Sequence, residues 1–326
     1  MSGPVFDYVR PGDLNEALAS GAQAGSAYLA GGTDLLPLWK VRAAAPARVV
    51  DISRLPLADV EAGETLRLGA LARLSDVAAS PDVRSRWPLV AEAIAASASG
   101  QVRNMATVGG ALLQRTRCGY FRNDAFPCNK RAPGSGCGAR DGENRGHAIF
   151  GASDACVATH PSDLAVALAA LDAEVELVRH GGSRRVSAAG LHRLPGDTPH
   201  IDTALAPGEL ISAVEIPDGR GACAAYLKVR DRASFEFAVV SVAAVLRLQE
   251  GRIAHLRLVA GGVAPRPWRL AAAEASLMGQ PPGPAAFEAA AALAVEGARP
   301  LAHNGFKVEL LRCAVRRALE TVGGAA

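Results

Sequence analysis

The chain has 326 residues, 49% of them hydrophobic, enough for two or three units that each bury a core and too apolar for a disordered chain. A formal net charge of +3 and 5% aromatic residues supply neither the basic stripe nor the stacking rings of a nucleic-acid binder. The first residues lack the charged-then-apolar order of an export signal, and the most apolar run, Ala285 to Val295, is broken by Glu288, so the chain is expected to carry no export or membrane address of its own.

Leu14 to Gln23 has the spacing of a short amphipathic helix capped by Asp13, and Ala27 to Ala30 reads as a short buried strand. Gly31-Gly32-Thr33-Asp34 follows at once, with Thr33 expected as the N-cap of a helix that holds Pro37 early in its course. Val49 to Ile52 reads as another strand. Paired glycines between a strand and a helix let backbone N–H groups approach an anion, so a phosphate or pyrophosphate is the natural guest. For a single such pair an ordinary tight turn is the favoured explanation. A strand (Thr65 to Ala70) and two helices (Leu74 to Ala79, Pro88 to Ala96) then lead to a second glycine turn, MATVGGALL at 105–113. Two turns from neighbouring lobes could close on a dinucleotide, although the paired glycines are not the G-x-G-x-x-G of a Rossmann fold.

Four of six cysteines, Cys118, Cys128, Cys137 and Cys156, follow with spacing C-x9-C-x8-C-x18-C, suited to an iron–sulfur cluster or a zinc ion. Between Arg115 and His147 there are seven Lys or Arg against three acids, net +4, which leaves −1 for the rest of the chain. A positive shell would ease burial of an anionic thiolate cluster. This stretch offers little beyond Tyr120, Phe121 and Phe126 to bury, so a metal staple is expected; zinc, a pair of disulfides in an exported protein, or four reduced thiols are the alternatives.

Further on, Asp163 opens a helix over Leu164 to Leu171 that Ser162 or Asp163 can cap, and His160 is assigned no chemistry. Leu210 fits a strand core. Lys228 lies on a predicted strand, Ala222 to Val229, between Tyr226 and Arg230, where a lone lysine ordinarily marks a solvated face. Strands at 238–248 and 252–260 and helices near 270–278, 284–297 and 306–322 complete a small α+β unit. The last helix aligns Val308, Leu311, Val315, Ala318 and Val322 as a core stripe, and Cys223 and Cys313 read as core thiols.

Five segments, AGGTDLLP (30–37), QVRNMATVGGALLQ (101–114), THPSDLAVALAALDAEVEL (159–177), LAPGELISAVEIP (205–217) and YLKVRDRASFEFAVVSVAA (226–244), resemble the FAD-binding medium subunits of molybdenum hydroxylases, relatives of xanthine dehydrogenase and carbon monoxide dehydrogenase flavoproteins. The insertion QRTRCGYFRNDAFPCNKRAPGSGC is similar to that of the flavin and iron–sulfur subunit of bacterial periplasmic aldehyde oxidoreductases. The resemblance implies an α+β fold: a PCMH-type FAD-binding domain over 1–219, in subdomains of about 1–55 and 56–219 with an iron–sulfur insert at 115–156. A CO dehydrogenase flavoprotein-like domain over 220–326, with a three-stranded antiparallel sheet and helices, would follow.

It also implies FAD held by Leu29, Ala30, Gly31, Gly32, Thr33, Asp34, Leu35, Thr107, Gly109, Gly110, Ala111, Asp163, Leu210 and Lys228, and a [4Fe-4S] cluster on Cys118, Cys128, Cys137 and Cys156. No Ser/His/Asp set, paired acids or catalytic metal triad emerges from the sequence, so no catalytic side chain is named and the redox chemistry falls to the flavin. The implied partners are a large molybdenum-cofactor subunit and a small [2Fe-2S] subunit in a heterotrimer, together with an external electron acceptor. Assembly would be cytoplasmic, with co-export on a partner's signal left open. Two rivals stand beside this reading: a self-contained FAD-dependent oxidoreductase, and a zinc-stapled assembly protein without redox function.

Overall fold

The computed structural model describes residues 6–324. Strand β1 (Asp7–Val9), helix α1 (Leu14–Gly21), β2 (Ser26–Leu29), α2 (Leu35–Lys40) and β3 (Arg48–Asp51) form a parallel three-stranded unit with β3 in the middle. Asp13 caps α1 as its sequence suggests, accepting the Glu16 N–H at 2.8 Å, while Glu16 accepts the N–H of Gly12 at 2.7 Å.

Next come β4 (Val60–Ala62), β5 (Leu66–Gly69), α3 (Leu74–Ala79), α4 (Pro81–Arg86), α5 (Pro88–Ala96), α6 (Gly100–Arg103), α7 (Val108–Leu112), α8 (Gly138–Asp141) and α9 (Asp163–Ala170). Strands β6 (Glu174–Arg179), β7 (Gly182–Ser187) and β8 (Leu210–Ile216) complete a five-stranded antiparallel sheet ordered β4-β5-β8-β6-β7. Its inner face buries Leu66, Leu68, Val175, Leu177 and Val214 against α3, α5, α7 and α9 in one core.

The C-terminal unit pairs β9 (Cys223–Val229), β10 (Val240–Gln249), β11 (Arg252–Gly261) and β12 (Trp268–Arg269), covered by α10 (Ala271–Leu277), α11 (Pro284–Leu293) and α12 (Phe306–Gly324). The sheet therefore has four strands where three were expected, because β12 is two residues long and leaves no periodic trace. Cys313 also departs from expectation. It is exposed on α12, one position before the buried Ala314, whereas the core stripe runs through Leu311, Val315, Ala318 and Val322.

Every residue of α9 is buried. A helix apolar on all sides belongs between layers, and α9 packs on the first core with one face and on β10 and β11 with the other. Its N-terminal Asp163 is thereby fixed where the first core meets the C-terminal sheet.

Lys307 of α12 is fully buried, and its ammonium donates to the carbonyls of His147 at 3.0 Å and Gly262 at 2.7 Å. Burial, aided by the nearby Arg145 charge, lowers its pKa to about 8 from the usual 10.5. Between those values the unfolded chain binds a proton that the folded chain has released, so stability should rise with pH across that window. Lys307→Met is expected to remove this rise in thermal melts recorded from about pH 8 to 10.5. Parallel Tm profiles for the two proteins would refute it.

Candidate functional site

The two glycine turns touch. A Cβ on Gly31 would overlap the Met105 carbonyl oxygen of the second turn, and one on Gly109 would stand 3.1 Å from the Ala70 Cβ. Gly32 has φ +72, the left-handed region that favours glycine. The first pair thus serves to join the lobes as well as to bare the backbone. Thr33 is not the helix cap: Asp34 occupies the N-cap position of α2 and its side chain makes no capping bond there. In the second turn Thr107 does cap, its Oγ1 accepting the Gly110 N–H at 3.2 Å.

Two chambers open on these turns. One, of about 350 Å3, is walled by both turns and by Leu71, Leu210 and Ile211; the other, of about 390 Å3, lies against Ala111, Arg117, Asp163, Phe235 and Phe237. Thr33, Asp34 and Gly110 border both, so the chambers are contiguous through the glycine turns. Of the fourteen residues implied for the flavin, only Leu29 and Lys228 line neither chamber. Residues far apart in sequence therefore line two adjoining chambers, an arrangement with room for the two ends of a dinucleotide.

Lys228 is not on a solvated face. Its side chain is 4% exposed, because alternate residues Ala224, Tyr226 and Lys228 of β9 face α5 and α9. The ammonium meets Asp163 Oδ2 at 2.8 Å and the last carbonyl of α5, that of Ala96, at 3.0 Å. The Tyr226 hydroxyl donates to Asp163 Oδ1 at 2.6 Å. Burial pushes the Asp163 carboxyl up, and the Lys228 charge opposes that push. Ser162, not Asp163, caps α9, accepting the Ala165 N–H at 3.2 Å. Asp163 thus presents a carboxylate to the second chamber with Lys228 behind it.

Sequence reading missed Arg117, Phe235 and Phe237 in that chamber. Arg117 sits over the Phe237 ring at 4.6 Å, and Phe235 holds φ +51. Neither residue type nor spacing announces a contact between residues 120 positions apart.

In the insert, Cys118, Phe121 and Cys128 pack on Leu38 and Ala43 at the far end of α2. Cys118 Sγ lies 3.2 Å from His147 Nε2, and Cys128 bridges backbone to backbone with Cys137. Burial pushes the Cys118 thiol up to about 11, opposed by the amides of Phe121 and Tyr120 and reinforced by Cys128 and Cys156. Cys156 is likewise raised by burial, with Lys130 opposing and Cys137 and Cys128 adding. The four thiols form one electrostatic group, and all are free of disulfides. Among the described residues no group of three or more His, Cys, Asp or Glu side chains is arranged to hold a metal ion.

The basic residues of the insert do not form the shell expected around the thiols. Arg115 and Lys130 pair with Asp202, Arg117 and Arg122 with Asp34, and Arg145 with Asp231, so these five tie the insert to the body; Arg140 pairs with Asp154 within the insert, and Lys130 also bears on Cys156. The acids that receive them lie far away in sequence, which composition cannot reveal.

Residues 4–219 match the family described as the FAD binding domain in molybdopterin dehydrogenase, and residues 224–322 match the CO dehydrogenase flavoprotein C-terminal domain. The chain belongs to the FAD-binding subunits of molybdenum hydroxylases. This flavin subunit is 46% identical over 313 residues to the aldehyde oxidoreductase FAD-binding subunit of Escherichia coli (strain K12), covering 94% of this chain and 95% of that one. It is 30% identical over 305 residues to the carbon monoxide dehydrogenase medium chain of Hydrogenophaga pseudoflava, covering 92% and 89%. The solved carbon monoxide dehydrogenase of that organism, lacking the Mo-pyranopterin moiety, aligns over 99% of both chains with a TM-score of 0.78 at 29% identity. The subunit is thus an FAD-dependent part of an oxidoreductase of the aldehyde, carbon monoxide or xanthine dehydrogenase type. Among its described residues no helix is long and apolar enough to cross a membrane.

Proposed function

We propose that this subunit carries electrons inside a molybdenum-cofactor aldehyde oxidoreductase, receiving them from a [2Fe-2S] partner and delivering them to an external acceptor. It holds FAD across its two chambers and a [4Fe-4S] cluster on Cys118, Cys128, Cys137 and Cys156. The observation that carries the reading is the meeting of both glycine turns over two adjoining chambers with the Asp163–Lys228 pair at the wall of the second. The bound flavin supplies the redox chemistry that no side chain here provides.

The chain's own residues bind, orient and exclude water. Backbone amides of the first glycine turn line the middle where a diphosphate fits, while in the second turn the Gly109 and Gly110 N–H groups already donate to the Ala70 carbonyl and to Thr107 Oγ1, so that turn contributes close approach of its backbone. Leu71, Leu210 and Ile211 give the first chamber an apolar wall. Asp163 offers an acceptor at the other end, and Lys228 compensates its charge.

The thiol group suits an iron–sulfur core. Burial makes the Cys118 and Cys156 thiolates costly, and a cationic core bound between them would reverse that; the amides of Tyr120, Phe121 and Ala158 already favour the thiolate form. With almost no apolar side chain to bury between residues 122 and 138, the insert uses the cluster as a staple and docking surface. Partners are a large molybdenum-cofactor subunit and a small [2Fe-2S] subunit, as the medium-chain names of the relatives suggest.

An absorption spectrum with iron, zinc and sulfide analysis of anaerobically purified protein tests this. A yellow-brown protein with FAD, iron and sulfide, and no aldehyde turnover by the isolated chain, is expected. A colourless zinc protein, or aldehyde oxidation by this chain alone, would overturn it.

A further inference from the structure

Helix α2 begins at the first glycine turn and ends against the cysteines. At its start, the Asp34 side chain is 14% exposed and receives three groups of the insert: the Arg115 N–H at 2.7 Å on Oδ2, and Arg122 at 2.9 Å and Arg117 at 3.0 Å on Oδ1. Arg122 also donates to the carbonyls of Thr116 at 2.9 Å and Arg115 at 3.4 Å, so the strand of chain leading to Cys118 is wrapped around it. At the other end of α2, Leu38 and the following Ala43 pack on Phe121, Cys118 and Cys128. One short helix is therefore gripped twice by the insert, and its first turn is the wall shared by both flavin chambers.

We propose that Asp34, through Arg122 and Arg117, couples the two cofactor sites, holding the first glycine turn in its flavin-binding geometry only while the cysteine insert is folded. This rests on the functional reading above and goes beyond it. Asp34 acts on the flavin as a positioning residue: its carboxylate turns toward the insert, and its backbone carries the turn. A half-buried carboxylate facing two guanidiniums and an amide has one favourable arrangement; once the arginines leave, it must turn to solvent and draw the turn with it. Coupling of this kind is reciprocal, so flavin must also slow loss of the cluster.

The test uses full-length holoprotein, with any co-purified partner subunits, and two readouts besides activity: FAD dissociation followed by flavin fluorescence, and iron release to a chelator. Arg122 lines neither chamber, so Arg122→Met changes the coupling without changing a flavin contact. It is expected to weaken FAD binding by about tenfold or more, within the range usual for linked sites. Asp34→Asn should act in the same direction. Arg140→Met, whose partner Asp154 is 94% exposed within the insert, should change nothing. Stripping iron from unmutated protein should weaken FAD binding by a similar factor, need no variant to fold, and have no further effect on Arg122→Met. Removal of FAD should speed iron release from the unmutated protein. Wild-type protein found without flavin or without iron overturns the functional reading and this coupling with it. Wild-type protein containing both, whose FAD affinity survives Arg122→Met and iron removal unchanged, overturns the coupling alone.

Discussion

Cys128→Ser is expected to strip the insert of iron and open it to proteases while the rest of the molecule stays folded. Over residues 122–138 the only buried side chain is that of Cys128, and the segment has no regular element before α8. Apart from the ion pairs of Arg122 with Asp34 and Lys130 with Asp202, what holds it is local: Asn129 exchanges hydrogen bonds with Gly136 at 2.7 and 2.8 Å, the Cys128 N–H reaches Ser135 Oγ at 3.0 Å, and Arg131 collects the carbonyls of Tyr120 and Phe121 at 2.8 Å. Bonds exchanged with water contribute only about 1 kcal/mol each, less than the cost of fixing one or two residues of backbone. A four-thiolate metal centre is the one large stabilising contribution available to such a segment. Iron analysis, limited proteolysis mapped to 122–138, and FAD retention on desalting measure the outcome together. The three large cores lie outside the insert for the most part, so the global Tm should move far less than the proteolysis rate. Stable assembly with unchanged flavin reduction after this substitution would count against the staple.

Removing either member of the Asp163–Lys228 pair should produce the largest loss of global stability. Both side chains are about 5% exposed. Lys228→Met leaves the Asp163 carboxylate with Tyr226 as its remaining side-chain donor; Asp163→Asn leaves a buried ammonium facing an amide. Each is expected to cost about 3–5 kcal/mol, which corresponds to a fall in Tm on the order of 10 °C. The double change Asp163→Asn with Lys228→Met should cost clearly less than the two single costs added, because the second substitution removes the charge that the first had stranded. Thermal melts of the four proteins decide it. Single variants within about 1 kcal/mol of wild type, or strictly additive costs, would show that the pair is not what locks α9 to β9.

Much of this was legible in the chain. Asp13 caps α1, α3 and α5 fall where their spacing puts them, and the glycine pairs, the family segments and the cysteine spacing could all be read before any coordinates. Such signals are local: a cap, a turn or a periodic stripe needs only a few adjacent residues to reveal itself. Even so, α4 escaped notice although Ser80 as N-cap and Pro81 at the first helical position announce it. Strand β12 could not have been found, since two residues have no period.

The sequence by itself determined most of the longer elements, the family and a pool of candidate cofactor-binding residues, because each of these is encoded in short stretches of residue type and spacing. Only the tertiary structure decided which charges meet. It moved Lys228 from a solvated face into a buried pair with Asp163, joined Asp34 to Arg117 and Arg122, and sent basic residues of the insert to acids on the body rather than around the thiols. The physical reason is the same in each case. An ion pair is selected by burial and distance between side chains that lie between about 65 and 90 positions apart here, and burial exists only after the layers have packed.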